Sequence, residues 1–174
     1  MKKLLTALMI LAAAMSLKAN TDGYVMLSVF SPGQIPIAAT SLDGVRLCLI
    51  YGECQNLNGL DIGLVGRVRE NMNGFQMACA NSIGTDVAGA QFGLMNFIEA
   101  DFTGCQLGLW NDVGGSVSGF QFGLWNDVGG SVAGFQLGLV NFAAQLKGLQ
   151  VGLLNFIEEP HPTYKCLPIV NFGW

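Results

Sequence analysis

Residues 104–117 read GCQLGLWNDVGGSV, and residues 119–132 read GFQFGLWNDVGGSV. The second copy begins fifteen residues after the first, and the same interval governs a longer series. Glycine stands at 44, 59, 74, 89, 104, 119, 134 and 148, spaced by fifteen residues six times and by fourteen once. With each of these glycines as position one, the unit is Gly-apolar-Gln-apolar-Gly-Leu-x-Asn, clearest at GAQFGLMN, GFQLGLVN and GLQVGLLN. A fixed period of this length marks an architecture built by repetition.

Apolar residues recur at positions two, four and six, as in Phe120, Phe122 and Leu124. A period of two puts them on one side of a short β-strand, with Gln at three and Gly at five on the other. The apolar side is expected inward. Position ten (Val68, Ile83, Ile98, Val113, Val128, Ile157) and position fourteen (Met72, Val87, Phe102, Val117, Val132) are apolar too. Position fourteen lies three residues before the next position two, so one straight strand cannot turn both inward. Three short sides joined by corners can. The pattern therefore predicts an all-β, single-domain β-solenoid of about eight fifteen-residue rungs. Rungs ~4.8 Å apart give a length of roughly 40 Å and set like side chains on like.

Position eight carries Asn81, Asn96, Asn111, Asn126, Asn141 and Asn155. Stacked at a corner, these amides have the chemistry of a buried ladder, each donating to one rung and accepting from another. The alternative is that Asn only tolerates a left-handed turn. The boundaries follow from the repeat: a solenoid over 44–159, an N-terminal cap over 20–43 and a C-terminal cap over 160–174. In the first cap, YVMLSVF (24–30) reads as a strand and SPGQIPI as a turn covering the first rung. In the second, LPIVNFGW resembles half a rung, with Pro168 in a glycine position and Asn171 in the asparagine column.

A second architecture fits the same period. One tilted membrane strand of about ten residues plus a turn also fills such a repeat, giving a small outer-membrane β-barrel. Against it stand the broken alternation within each repeat and the missing aromatic girdles.

Residues 1–19 carry Lys2 and Lys3, an apolar run and a small residue, Ala19, at a cut site, which is the pattern of a secretory signal peptide. Beyond Ala19 five basic residues face twelve acidic ones, a net charge of −7. Such a surface does not attract nucleic acid or anionic headgroups. With 51% of the chain hydrophobic and 11% charged, little of the surface can be covered by charge.

Reactive chemistry is sparse. Five cysteines in an exported chain allow a bridge or two. The competing reading makes Cys48, Cys79 and Cys105 small buried apolar residues at repeat positions, while a pairing of Cys54 with Cys48, or of Cys166 with a nearby loop, stays open. His161 could pair with Cys166 as base and nucleophile, against the reading of an ordinary loop histidine. No spacing suits a metal site, and no cofactor is implied. Asp112 and Asp127 share a column, which suits a cation, a glycosidase pair or merely a solvated turn. Ice binding would need rows of Thr, and the repeats hold only Thr85 and Thr103.

Position seven, with Met95, Trp110, Trp125 and Val140, follows an inward leucine and is expected to point outward. An apolar stripe along several rungs marks a partner or membrane contact, with the tryptophans at its centre. The alternative is that a corner folds these residues over the core.

The repeat behind a leader, with LSVFSPGQIPI before it, YGECQNLNGLDIGLV at its start and LPIVNFGW at its close, resembles a family of bacterial surface repeat-containing proteins over residues 24–174. The resemblance implies an exported, envelope-associated location and no catalytic residue. The early rungs depart from it, with Arg46 and Asp61 in place of Gln and Tyr51 and Gly66 in place of Asn. The expected role is a non-enzymatic surface scaffold that binds an unknown protein or envelope component through one face.

Overall fold

The structure is a computed structural model describing residues 22–30, 33–35, 41–159 and 163–173. The leader, most of the SPGQIPI turn, His161 and Trp174 lie outside the described residues. The chain forms a β-solenoid, and every strand of the repeat region pairs in parallel with its neighbours one rung away. The barrel alternative does not hold, because its adjacent strands would run antiparallel.

Each central rung has a six-residue strand and a four-residue strand, not three sides. The long wall stacks the first parts of β3 (Ser41–Cys54) and β4 (Leu57–Val68), then β5 (Met72–Met77), β7 (Val87–Phe92), β9 (Phe102–Leu107) and β11 (Val117–Phe122). The short wall stacks the end of β4, β6 (Ala80–Ile83), β8 (Met95–Ile98) and β10 (Trp110–Val113). In β12 (Trp125–Leu137) and β13 (Val140–Glu159) the two walls run on as single strands. The register is one repeat: Gly104 faces Gly119, which faces Gly134. Near the end, Ser131 faces Gln145, so the fourteen-residue interval is absorbed at the corner before that pair.

The position-one glycines have positive φ, 129° at Gly74 and 135° at Gly104. A Cβ at Gly104 would overlap the Gly89 carbonyl oxygen, so rungs at this spacing require glycine there.

The ends are closed by antiparallel strands. At the start, β1 (Asp22–Phe30) lies parallel to β3 and pairs antiparallel with β2 (Gly33–Ile35). At the finish, β14 (Thr163–Gly173) folds antiparallel onto β13, which leaves no bare parallel rung at that end. Asn171 faces Gln150 there, so it joins the glutamine column rather than the asparagine column.

The inward phase differs from the sequence expectation on one half of each rung. Positions ten and fourteen are buried, from Val68 and Met72 to Val128 and Val132, and form the apolar core. Position three is buried as well: Gln76, Gln91, Gln106, Gln121, Gln136 and Gln150 are fully inaccessible, as are the asparagines of position eight. Positions four and six point out, as Met77, Leu94, Leu109 and Leu137 show, and position two is half-buried or exposed. Alternation explains this. Position fourteen faces inward, fifteen outward, three inward and four outward, one phase through the whole long strand. Hydrophobicity assigned positions two, four and six to the wrong side.

Each rung is thus two halves of opposite sense. One half has an apolar interior and a polar surface, as in any soluble sheet. The other has an amide interior and an apolar surface.

Candidate interaction surface

The amide interior must be satisfied, since an unpartnered buried polar group costs about 1–3 kcal/mol. Along position three each glutamine donates backward: Gln91 to Gln76 at 2.9 Å, Gln106 to Gln91 at 3.0 Å, Gln121 to Gln106 at 2.8 Å and Gln136 to Gln121 at 2.8 Å. Along position eight each asparagine donates forward, from Asn81 to Asn96 at 2.7 Å and on through Asn111, Asn126 and Asn141 to Asn155 at 2.8 Å per step. The second N–H of each asparagine from Asn81 to Asn141 binds the position-four carbonyl of the next rung, as Asn96 does at Leu107 (3.0 Å), and Asn155 binds the Leu167 carbonyl of β14 at 3.1 Å instead. These bonds pin the corner between the two walls. The two ladders run side by side with opposed amide directions.

Glycine at position five makes this corner possible. A Cβ at Gly108 would lie 2.6 Å from both the Asn111 Oδ1 and the Asn96 Nδ2 atoms. At the N-terminal end of the column position five holds Cys48 and Ala78, both buried, with Gly63 between them, where a Cβ would lie 2.6 Å from the Cys48 Cβ.

The first two rungs end the glutamine column with a charge pair. The Arg46 guanidinium donates to Asp61 through Nε (2.8 Å) and Nη2 (2.6 Å), and both side chains are buried. Nη1 donates to the Arg67 carbonyl at 2.9 Å and contacts the Cys54 Sγ at 3.0 Å. Burial disfavours the charge on Arg46, but the bonds and charge of Asp61 outweigh it and hold the guanidinium above its ordinary value. A Cβ at Gly66 would meet Asp61 Oδ2 at 2.7 Å, Gln76 Nε2 at 2.8 Å and Arg46 Nη2 at 3.2 Å. That crowding is why asparagine is missing from this rung, and it leaves the Asn81 Oδ1 buried without a donor. In the first rung a bulge shifts the register, so Gly52, not Tyr51, faces Gly66 in the asparagine column.

Outside this polar interior lies a belt of apolar side chains around one edge of the solenoid. Leucines of position six sit at the corner, where Leu94, Leu109, Leu124 and Leu139 are each about half exposed. On the short-wall side, position seven stacks Met95 on Trp110, Trp110 on Trp125 and Trp125 on Val140. Met95 and Trp110 are exposed, while Trp125 and Val140 are half-buried. The indoles of Trp110 and Trp125 lie 5.6 Å apart, and Trp125 lies 5.2 Å from Phe142. On the long-wall side, Phe122 packs 5.9 Å from Phe135. Sequence reasoning singled out position seven but missed positions four and six as surface. A second signal was present: glutamine recurs in its column as faithfully as asparagine does.

The opposite edge is polar. At position thirteen the backbone N–H of Asp101 binds the Asp86 carboxylate at 3.0 Å, and that of Ser116 binds Asp101 at 2.7 Å. Exposed Asn71 accepts from Thr85 at 2.8 Å, and Arg69 pairs with Glu53 at 2.7 Å.

Among the described residues the remaining candidates are not brought together into one group. Asp112 stacks on Asp127 on the outer side of the short wall, two residues beyond the tryptophans. Among the described residues no group of three or more His, Cys, Asp and Glu could hold a metal ion. All five cysteines are free, which closes the disulfide alternatives. Cys48 is buried as expected of a small apolar residue, but Cys79 is exposed on position six and Cys105 is half-buried on position two. Cys166 is exposed on β14, and its suggested partner His161 is outside the described residues. No family model, curated protein or solved structure matches the chain.

Proposed function

We propose that the chain is an exported, non-enzymatic scaffold of the bacterial cell surface or envelope, which binds another envelope component through its apolar edge. One observation carries the reading. Positions two, four, six and seven between Phe75 and Leu154 hold twenty-four residues, and none is charged. An apolar patch of that extent on a soluble chain marks a contact surface. The signal-peptide pattern of residues 1–19 and the resemblance to surface repeat proteins support export.

The test is fractionation of bacteria producing the full chain. The protein is expected in the envelope fraction or on the cell surface, and the double substitution W110S/W125S is expected to release it while leaving the β-rich circular dichroism spectrum intact. Recovery of the unaltered chain in the cytosol, or equal retention of the folded double variant, overturns the proposal.

A further inference from the structure

We infer that the partner of the apolar edge is a lipid bilayer, on which the solenoid lies with its axis parallel to the surface and the leucine corner immersed. This inference rests on the scaffold reading above and names what the scaffold binds.

Protein interfaces carry about one hydrogen bond per 100–200 Å². The belt offers almost none, because its side chains are aliphatic, phenyl, thioether or thiol apart from the indoles of Trp110 and Trp125. The amides behind it are spent on one another, Gln121 on Gln106 and Asn111 on Asn126, at 2.8 Å each. The backbone is likewise spent between rungs, even at the corner, where Leu109 N donates to the Leu94 carbonyl at 2.9 Å. A hydrocarbon medium demands backbone and polar side chains satisfied inside and apolar groups outside, and this half-rung meets the demand except at the Asn81 Oδ1 and Trp125 Nε1 atoms.

Position six is a corner between two walls, so the belt is a convex ridge. Two rigid ridges from two copies would touch along the leucine line and leave positions two and four uncovered. Acyl chains conform to a ridge.

On the long wall, position two is apolar (Phe120, Phe135), while position fifteen carries Thr103, Ser118 and Lys147. On the short wall the belt passes from Trp110 and Trp125 to Asp112 and Asp127 two residues on, while on the flanking rungs the same column holds Phe97 and Phe142 and stays apolar. On the two central rungs both walls therefore change from apolar to polar, with the exposed Trp110 beside one crossing, where indoles sit at membrane interfaces. The edge that stays in water carries Asp86, Glu99 and Asp101. Nothing in this arrangement calls for anionic lipid.

The experiment uses the purified full chain and phosphatidylcholine vesicles. The chain is expected to float with the vesicles, equally well in high salt, and its indoles are expected to be quenched by brominated acyl chains. The variant L109E/L124E changes two outward corner residues and is expected to keep its β-rich spectrum while its partition falls at least about tenfold, since charge is expelled from hydrocarbon. Failure of the unaltered chain to float, absence of quenching, or equal flotation of the folded variant overturns the inference. So does a discrete dimer that L109E/L124E dissociates and that ignores vesicles. A chain that stays with the envelope in cells but does not float would sink the lipid assignment and leave the scaffold reading standing.

Discussion

Gln76 donates its side-chain N–H to the Asp61 carboxylate at 2.8 Å, and that carboxylate is held by Arg46 from the rung before. This contact closes the donor end of the glutamine ladder. At the acceptor end, Asn171 of the terminal antiparallel strand donates to Gln150 at 3.2 Å. A line of aligned amides has a bare donor at one end and a bare acceptor at the other. Here a carboxylate meets the first and an amide meets the second.

The ladder makes Gln106 a structural residue. Leucine at this position would leave the Gln91 Oε1 without its donor and the Gln121 Nε2 without its acceptor. Two buried orphan groups at about 1–3 kcal/mol each predict that Q106L lowers the unfolding free energy by about 2–6 kcal/mol in a urea titration. Leu109→Ser, on the exposed corner, is expected to change it by about 0.5 kcal/mol or less. The reverse order would show that position six is core.

The Arg46–Asp61 pair predicts an asymmetric response. Asp61→Asn keeps the shape but leaves a buried guanidinium without its counter-charge, a loss of about 3–5 kcal/mol. The triple variant R46Q/D61Q/G66N extends both ladders into the space the guanidinium held and supplies the donor that the Asn81 Oδ1 lacks. It is expected to recover most of that loss, read as a shift in the denaturation midpoint.

Thiol reactivity should divide by column. Burial pushes the Cys54 thiol up to about 11, against a smaller opposing pull from Arg46, and burial also raises Cys48. Cys79 and Cys166 are exposed. Iodoacetamide at mildly alkaline pH is expected to label Cys79 and Cys166 in the native protein, and to label Cys48 and Cys54 only after unfolding. Mass spectrometry of the digested chain reads the difference.

Asp112 introduces a pH dependence of the opposite sign to that of an ordinary salt-bridged carboxylate. Burial, and then the charge of Asp127, raise its carboxyl above the ordinary value of 3.8. The folded state therefore holds this proton more tightly than the unfolded chain does. Its contribution is fully present below the unfolded value and is lost as pH rises through the folded one. Asp112→Asn is expected to raise the thermal midpoint at neutral pH and to change it little in acid below the unfolded value.

Much of the fold was legible in the repeat. Glycine at 104, 119 and 134 announced the rung, and the parallel register of Trp110 on Trp125 follows from the fifteen-residue interval. Valine and isoleucine at position ten, with the apolar position fourteen, marked the core. The face of the glutamines was not legible by the usual rule, because Gln91 and Gln106 are polar and Phe92 and Leu107 are apolar. Periodicity says which residues share a side; it does not say which side is in. Composition normally supplies the sign, and on this half of the rung composition points the wrong way.

The amino-acid sequence alone determined the period, the stacking of like on like and the residues at each height. The tertiary structure decided the sense of the second half-rung, because only there do the amides of successive glutamines come within 2.7 to 3.0 Å of one another. An isolated glutamine is costly to bury and a leucine favourable. A column of glutamines that bond to their neighbours escapes that cost, and this exchange between rungs puts amides inside and leucines out.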